Sequence, residues 1–142
     1  MLFDRTDEML ANAYLLGRDG GLPLIYSDHG ESTQRYPEDA SRWQDLWQRP
    51  DVVSMLRFHN ELHGSPERCL YEHDGFLVLG RGDRGILSIN KTAEWQSGSL
   101  SQHGLGYGDY QCLRHGHQMR LDRDPFLLSL PPRETQLWIR RQ

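Results

Sequence analysis

The chain has 142 residues, and 16 Lys and Arg against 20 Asp and Glu give it a formal net charge of −4. That length holds one ordinary domain or two small pieces, and the mild acidity argues against general nucleic-acid binding. Four Trp, six Tyr and four Phe argue against disorder, and no apolar run approaches the roughly 18 residues of a membrane span.

The N-terminus mixes acidic and basic residues through Met1–Glu8. It has no basic region followed by a short apolar stretch, so it does not read as a secretory signal. A first helix is expected over 7–16. Thr6 is its candidate N-cap, and Asp7 and Glu8 stand in the first turn, where negative charge suits the helix dipole. Met9, Ala13 and Leu16 recur at helical spacing, and Leu10 and Tyr14 widen the stripe. Gly17, Gly20 and Gly21 stop it. The continuous apolar run 22–27 (LPLIYS) predicts a strand buried on both faces, of the kind found in parallel sheets, with Pro23 near its start.

From Asp28 to Arg49 the chain is polar and irregular, which is long for a connection. Trp43 and Trp47 within it suggest an ordered loop that docks. Pro50 then opens a second helix, expected over 51–63, with Val52, Met55, Leu56, His59 and Leu62 facing inward and Gly64 ending it.

After Pro66 the texture changes to short apolar runs separated by Gly, Asp and Pro. Strands are expected at Phe76–Gly80, Ile86–Ile89, Tyr107–Arg114, Gln118–Asp122, Phe126–Leu130 and Thr135–Ile139. Such spacing predicts an all-β sandwich. The boundary divides the chain into an α/β piece, 1–65, and an all-β domain, 66–142. The first piece is incomplete as an α/β unit, because a single doubly buried strand needs parallel neighbours.

Several motifs are weak on inspection. Gly80-Arg81-Gly82-Asp83-Arg84-Gly85 fits G-x-G-x-x-G, but a dinucleotide site needs a helix after it and here a strand pattern follows. The run reads as a hairpin turn, and its Arg-Gly-Asp tripeptide as a coincidence of turn composition. His59 and His63 have a spacing that can share a metal, but the intervening Glu61 is misplaced for a zinc protease, so they read as helix-end histidines. His115-Gly116-His117 reads as a turn. Cys69 and Cys112 do not make a disulfide framework; they form one bridge or, more in keeping with free cysteines, stay buried thiols.

The ordered set Leu10–Leu16, Gly21–Ser27, Val53–Gly64 and Phe76–Asn90, followed by Tyr107–Cys112, resembles the C-terminal end of an α-amylase of glycoside hydrolase family 13. The resemblance covers nearly the whole chain, although no single motif is diagnostic. It implies a mainly β fold: an antiparallel Greek-key β-sandwich preceded by the last helix, strand and helix of a (β/α)8 barrel. It also implies hydrolysis of α-1,4-glucans in the full-length parent by a retaining mechanism.

The family's three catalytic carboxylates belong to motifs expected ahead of these residues. The third lies beside a His-Asp pair, and Met1–Glu8 has no His, so Asp4 and Asp7 do not inherit that role. The segment is therefore expected to be inactive alone, with no catalytic and no metal-binding residue and no cofactor; calcium belongs to the parent. Chloride-activated relatives carry a basic residue on the eighth strand. Leu24 stands at the matching position, which implies a chloride-independent parent.

Asp28, His29 and Glu31 begin the loop after that strand, on the face where barrel enzymes bind substrate. They are the candidate sugar contacts, through hydroxyl hydrogen bonds. Partners expected are an α-glucan in the parent and the rest of the barrel, with no nucleic acid and no membrane. Location is left open, since a parent of this family is often exported. The alternative is a stand-alone carbohydrate-binding or interaction domain, with Trp95, Tyr107 and Trp138 as candidate sugar platforms.

Overall fold

The computed structural model describes residues 5–21 and 49–141. Two helices, α1 (Arg5–Gly17) and α2 (Pro50–Glu61), precede eight strands. These are β1 (Glu67–His73), β2 (Phe76–Arg81), β3 (Gly85–Asn90), β4 (Gln96–Leu100), β5 (Gly108–Cys112), β6 (Gln118–Leu121), β7 (Phe126–Leu130) and β8 (Glu134–Arg140). The expected strand over 22–27, Trp43 and Trp47 all lie outside the described residues.

All strand pairs are antiparallel. Six strands form one sheet in the order β1-β2-β3-β8-β5-β6, and β4 pairs with β7 in a small second sheet. The last strand returns to lie between β3 and β5, the non-local return of a Greek key. The fold is thus mainly β, as the sequence implied, but the sandwich is lopsided. The large sheet has the two-stranded sheet on one face and the helix pair on the other.

This arrangement explains the continuous apolar runs of β2, β3 and β8. In a strand, alternate side chains point to opposite faces, so a strand covered on both sides has no polar face to show. Leu79, Leu87, Ile89, Leu137 and Ile139 join Met9, Leu10, Ala13 and Leu16 of α1 and Val52, Met55 and Phe58 of α2 in one cluster. Phe76, Val78, Ile86 and Trp138 point the other way, to a second cluster with Tyr110, Leu100, Leu128 and Leu130.

The helices follow the expected pattern with three differences. Thr6 lies inside the first turn of α1 rather than capping it. Tyr14, expected on the apolar stripe, is exposed. Phe58, not expected inward, is fully buried. Two strands escaped the sequence reading. β1 (ERCLYEH) is an edge strand with mostly polar side chains, and β4 (QSGSL) has one apolar residue. Neither offers an apolar alternation, although Ser97 and Ser99 of β4 do point outward while Gly98 and Leu100 point in.

Candidate functional site

The candidate sugar contacts Asp28, His29 and Glu31 lie outside the described residues. What the described residues present is the junction between the helix pair and the large sheet, and its centre is Arg81.

Arg81 is the last residue of β2 and is only 1% exposed. Its guanidinium donates from one terminal nitrogen to the Gly17 carbonyl at 2.6 Å, from the other to the Leu62 carbonyl at 3.0 Å, and from Nε to the Ser65 carbonyl at 3.0 Å. Gly17 ends α1 and Leu62 caps α2. The last carbonyls of a helix have no partner within it, so one fixed fork satisfies the ends of two helices. A cation at helix C-termini also meets the favourable end of each dipole. Burial pushes the Arg81 pKa down, while Asp19, 3.7 Å away, and Glu67 push it up. An arginine remains charged under such a shift.

The helices reach the sheet because two glycines leave room. A Cβ on Gly17 would stand 2.4 Å from Leu87 Cδ2, and one on Gly85 would stand 2.4 Å from Leu62 Cδ1. His59 completes the joint: it is buried, and its Nδ1 lies 3.0 Å from the Leu16 carbonyl, which requires the proton on that nitrogen. At the far end of α1, Asp7 accepts from Arg133 at 2.6 Å.

The glycine-rich run is the β2–β3 hairpin turn, as expected, with Gly82 at φ 55°. Its backbone is anchored from the sandwich side. Arg68 donates to the Gly82 carbonyl at 2.7 Å and from Nε to the His103 carbonyl at 2.9 Å. The Tyr110 hydroxyl donates to the Gly106 carbonyl at 2.7 Å, and its burial raises its pKa to about 12. Asn90, also buried, ties the β3–β4 turn to the end of β7: its amide nitrogen reaches the carbonyls of Glu94 at 2.8 Å and Pro131 at 2.9 Å. The sequence offered little to single out Arg81, Asn90 or Tyr110. An arginine closing an otherwise apolar strand (FLVLGR) was the available signal.

The remaining candidates separate. Trp95 and Tyr107 are exposed, whereas Trp138 is core. His59 and His63 have ring centroids 6.4 Å apart, but His59 is engaged with α1 and His63 is exposed. His115 and His117 stack at 5.4 Å, and burial together with Arg114 and His117 holds the His115 pKa below its usual value. Among the described residues no group of three or more His, Cys, Asp or Glu is placed to hold a metal. Cys69 and Cys112 are both free; Cys112 is buried as expected, but Cys69 is exposed on the edge strand β1. A groove of about 400 Å³ lies between α1 and the β2 and β3 strands, with Asp7, Leu10, Glu72, Leu77 and Ile89 in its lining.

No protein-family model matches the chain. Over 90 residues, 63% of this chain, it is 48% identical to an α-amylase of Aeromonas hydrophila. The chain is an α-amylase homologue. It spans 19% of the length of that α-amylase. Solved α-amylases share the fold. That of Geobacillus thermoleovorans is 24% identical with a TM-score of 0.67, covering 96% of this chain and 33% of its own. That of Malbranchea cinnamomea is 13% identical with a TM-score of 0.71 over the same shares. The eight-stranded fold matches α-amylase C-terminal domains, and Arg81 ties the helix pair to its large sheet.

Proposed function

We propose that the chain serves as the C-terminal part of an α-amylase acting on α-1,4-glucans such as starch, glycogen and maltooligosaccharides. On this reading 1–65 closes the catalytic barrel, 66–142 is the trailing β-domain, and the segment supports chemistry whose catalytic carboxylates lie elsewhere in the parent. The observation that carries the proposal is the 48% identity over 90 residues to an α-amylase. The helix pair adds support: Tyr14, Leu15 and Val53 are exposed apolar residues on its outer side, a surface suited to a neighbouring layer. The partner on this reading is the remainder of the barrel, and any calcium is held there.

The purified 142-residue chain should not hydrolyse starch or a maltooligosaccharide. Turnover that stays stoichiometric with the chain through further purification would overturn the supporting role. Replacing the matching segment of the Aeromonas hydrophila enzyme with this one should give an active chimaera; a folded but inactive chimaera would overturn the parentage. Asp28, His29 and Glu31 are proposed to hydrogen-bond sugar in the parent. There, Asp28→Ala or His29→Ala should lower kcat/KM by more than about twofold and by far less than about four decades.

A second reading, a carbohydrate-binding domain acting alone, is favoured by Trp95, which is 66% exposed beside β4. It predicts that a maltooligosaccharide quenches tryptophan fluorescence of the isolated chain and that Trp95→Ala removes the response.

A further inference from the structure

We propose that the cleft walled by Arg57, Arg84, Arg140 and Arg141 binds a tetrahedral oxyanion of the phosphate class. The cleft has a volume of about 160 Å³, and Gln111, Leu113 and Ile139 also line it. Three separate elements deliver the arginines: Arg57 comes from α2, Arg84 from the β2–β3 turn, and Arg140 and Arg141 from the end of β8. The cleft lining sets these four cations against one carboxylate, Glu61, in a chain whose net charge is −4.

The pairing of those cations is uneven. Arg57 holds Glu61 at 2.7 Å, and Arg140 holds Asp83 at 3.2 Å from just outside the lining. Arg84 and Arg141 have no side-chain hydrogen bond or ion pair among the described residues. Even with Asp83 counted, two positive charges remain uncompensated. Their main chains are fixed: Arg140 N donates to the Arg84 carbonyl at 2.9 Å, so the turn and the strand end cannot drift apart, and Arg141 N donates to the Asp109 carbonyl at 2.7 Å.

Guanidinium groups are planar forks that grip phosphate or carboxylate oxygens two at a time. Two unpaired forks on a fixed frame, with two further arginines beside them, favour a compact dianion over a monovalent ion. The small volume and the acidic remainder of the chain disfavour a long polyanion. A free phosphate ion and a phosphoryl group carried on a sugar share this chemistry. The site does not depend on the amylase reading, since it lies entirely within the described residues of this chain.

The test is a titration of the 142-residue chain with inorganic phosphate, followed by calorimetry and by NMR of the arginine Nε–H resonances. Sodium chloride at matched ionic strength is the control, and glucose 6-phosphate is a second probe. Saturable binding of phosphate, with the Arg84 and Arg141 signals moving, is the expected result. The Arg84→Gln, Arg141→Gln double variant should weaken it by about tenfold or more. Glu61→Gln, which removes the carboxylate competing for Arg57, should tighten it by about threefold, so the proposal stays testable if the double variant does not fold. Tighter binding of glucose 6-phosphate would assign the natural ligand to a phosphorylated sugar, and equal binding to the free ion. A response to phosphate no larger than to chloride, or affinity unchanged in both variants, would overturn it.

Discussion

The two faces of the large sheet are built differently. Toward β4 and β7 the contacts are side chain on side chain: Phe76, Val78, Ile86 and Trp138 meet Leu100, Leu128 and Leu130, and polar residues turn outward. Toward the helices there is an equally apolar cluster. Both faces are also fastened by polar groups that reach backbone carbonyls, but at different places: Asn90 and Arg68 hold turns and strand ends on the sandwich side, whereas Arg81 and His59 hold the ends of helices. The outer side of the helix pair is also left with exposed Tyr14, Leu15 and Val53, whereas the small sheet turns Ser97 and Ser99 outward. Hydrophobic burial alone holds a layer without fixing its position closely. A carbonyl-capping arginine adds directional bonds that fix where the helix ends sit on the sheet.

The strongest way to break the contrast is Arg81→Ala. It strands three carbonyls at a buried joint, so a loss of about 3–5 kcal/mol is expected from denaturant unfolding. Amide exchange in α1 and α2 should accelerate more than in β2, β3 and β8. A loss below about 1 kcal/mol would mean that the apolar cluster holds the helices by itself.

Tyr110 tests the other face through pH. Its folded pKa, about 12, lies above the ordinary value of 10. The folded state therefore keeps a proton that the unfolded chain gives up. Its contribution is complete below pH 10 and is lost as pH rises from about 10 to 12, by about 2 kcal/mol. Tyr110→Phe should flatten that part of the stability–pH curve while the helix-side contacts are unaffected.

Independence of the two clusters is measured by Phe58→Leu and Leu130→Val. Each should cost about 1 kcal/mol, and the double variant should match the sum within about 0.5 kcal/mol. A larger coupling would show that the sheet transmits strain between its faces. The smallest effect is expected for Asp7→Asn. The ion pair with Arg133 is about one-third exposed on each side, so its loss should cost about 0.5 kcal/mol and fade in high salt.

By itself the sequence determined the elements whose pattern is local. Apolar spacing placed α1 and α2, and continuous or alternating apolar runs placed β2, β3, β7 and β8, because burial on one face or two is written into every residue of such a stretch. The glycine-rich hairpin was legible for the same reason: positive φ is a local demand met by glycine. The ordered runs also carried the resemblance to the α-amylases. The edge strands β1 and β4 were not legible, since an edge needs backbone partners more than apolar side chains. Only the tertiary structure decided that one sheet serves two cores, that Tyr14 faces out and Phe58 in, and that Arg81 caps two helices more than 15 residues away in sequence. A guanidinium's partners are carbonyls, which every residue has, so no spacing of residue types announces them. The cleft of four arginines is of the same kind: positions 57, 84, 140 and 141 are scattered in the chain, and it takes the antiparallel return of β8 beside β3 to bring them together.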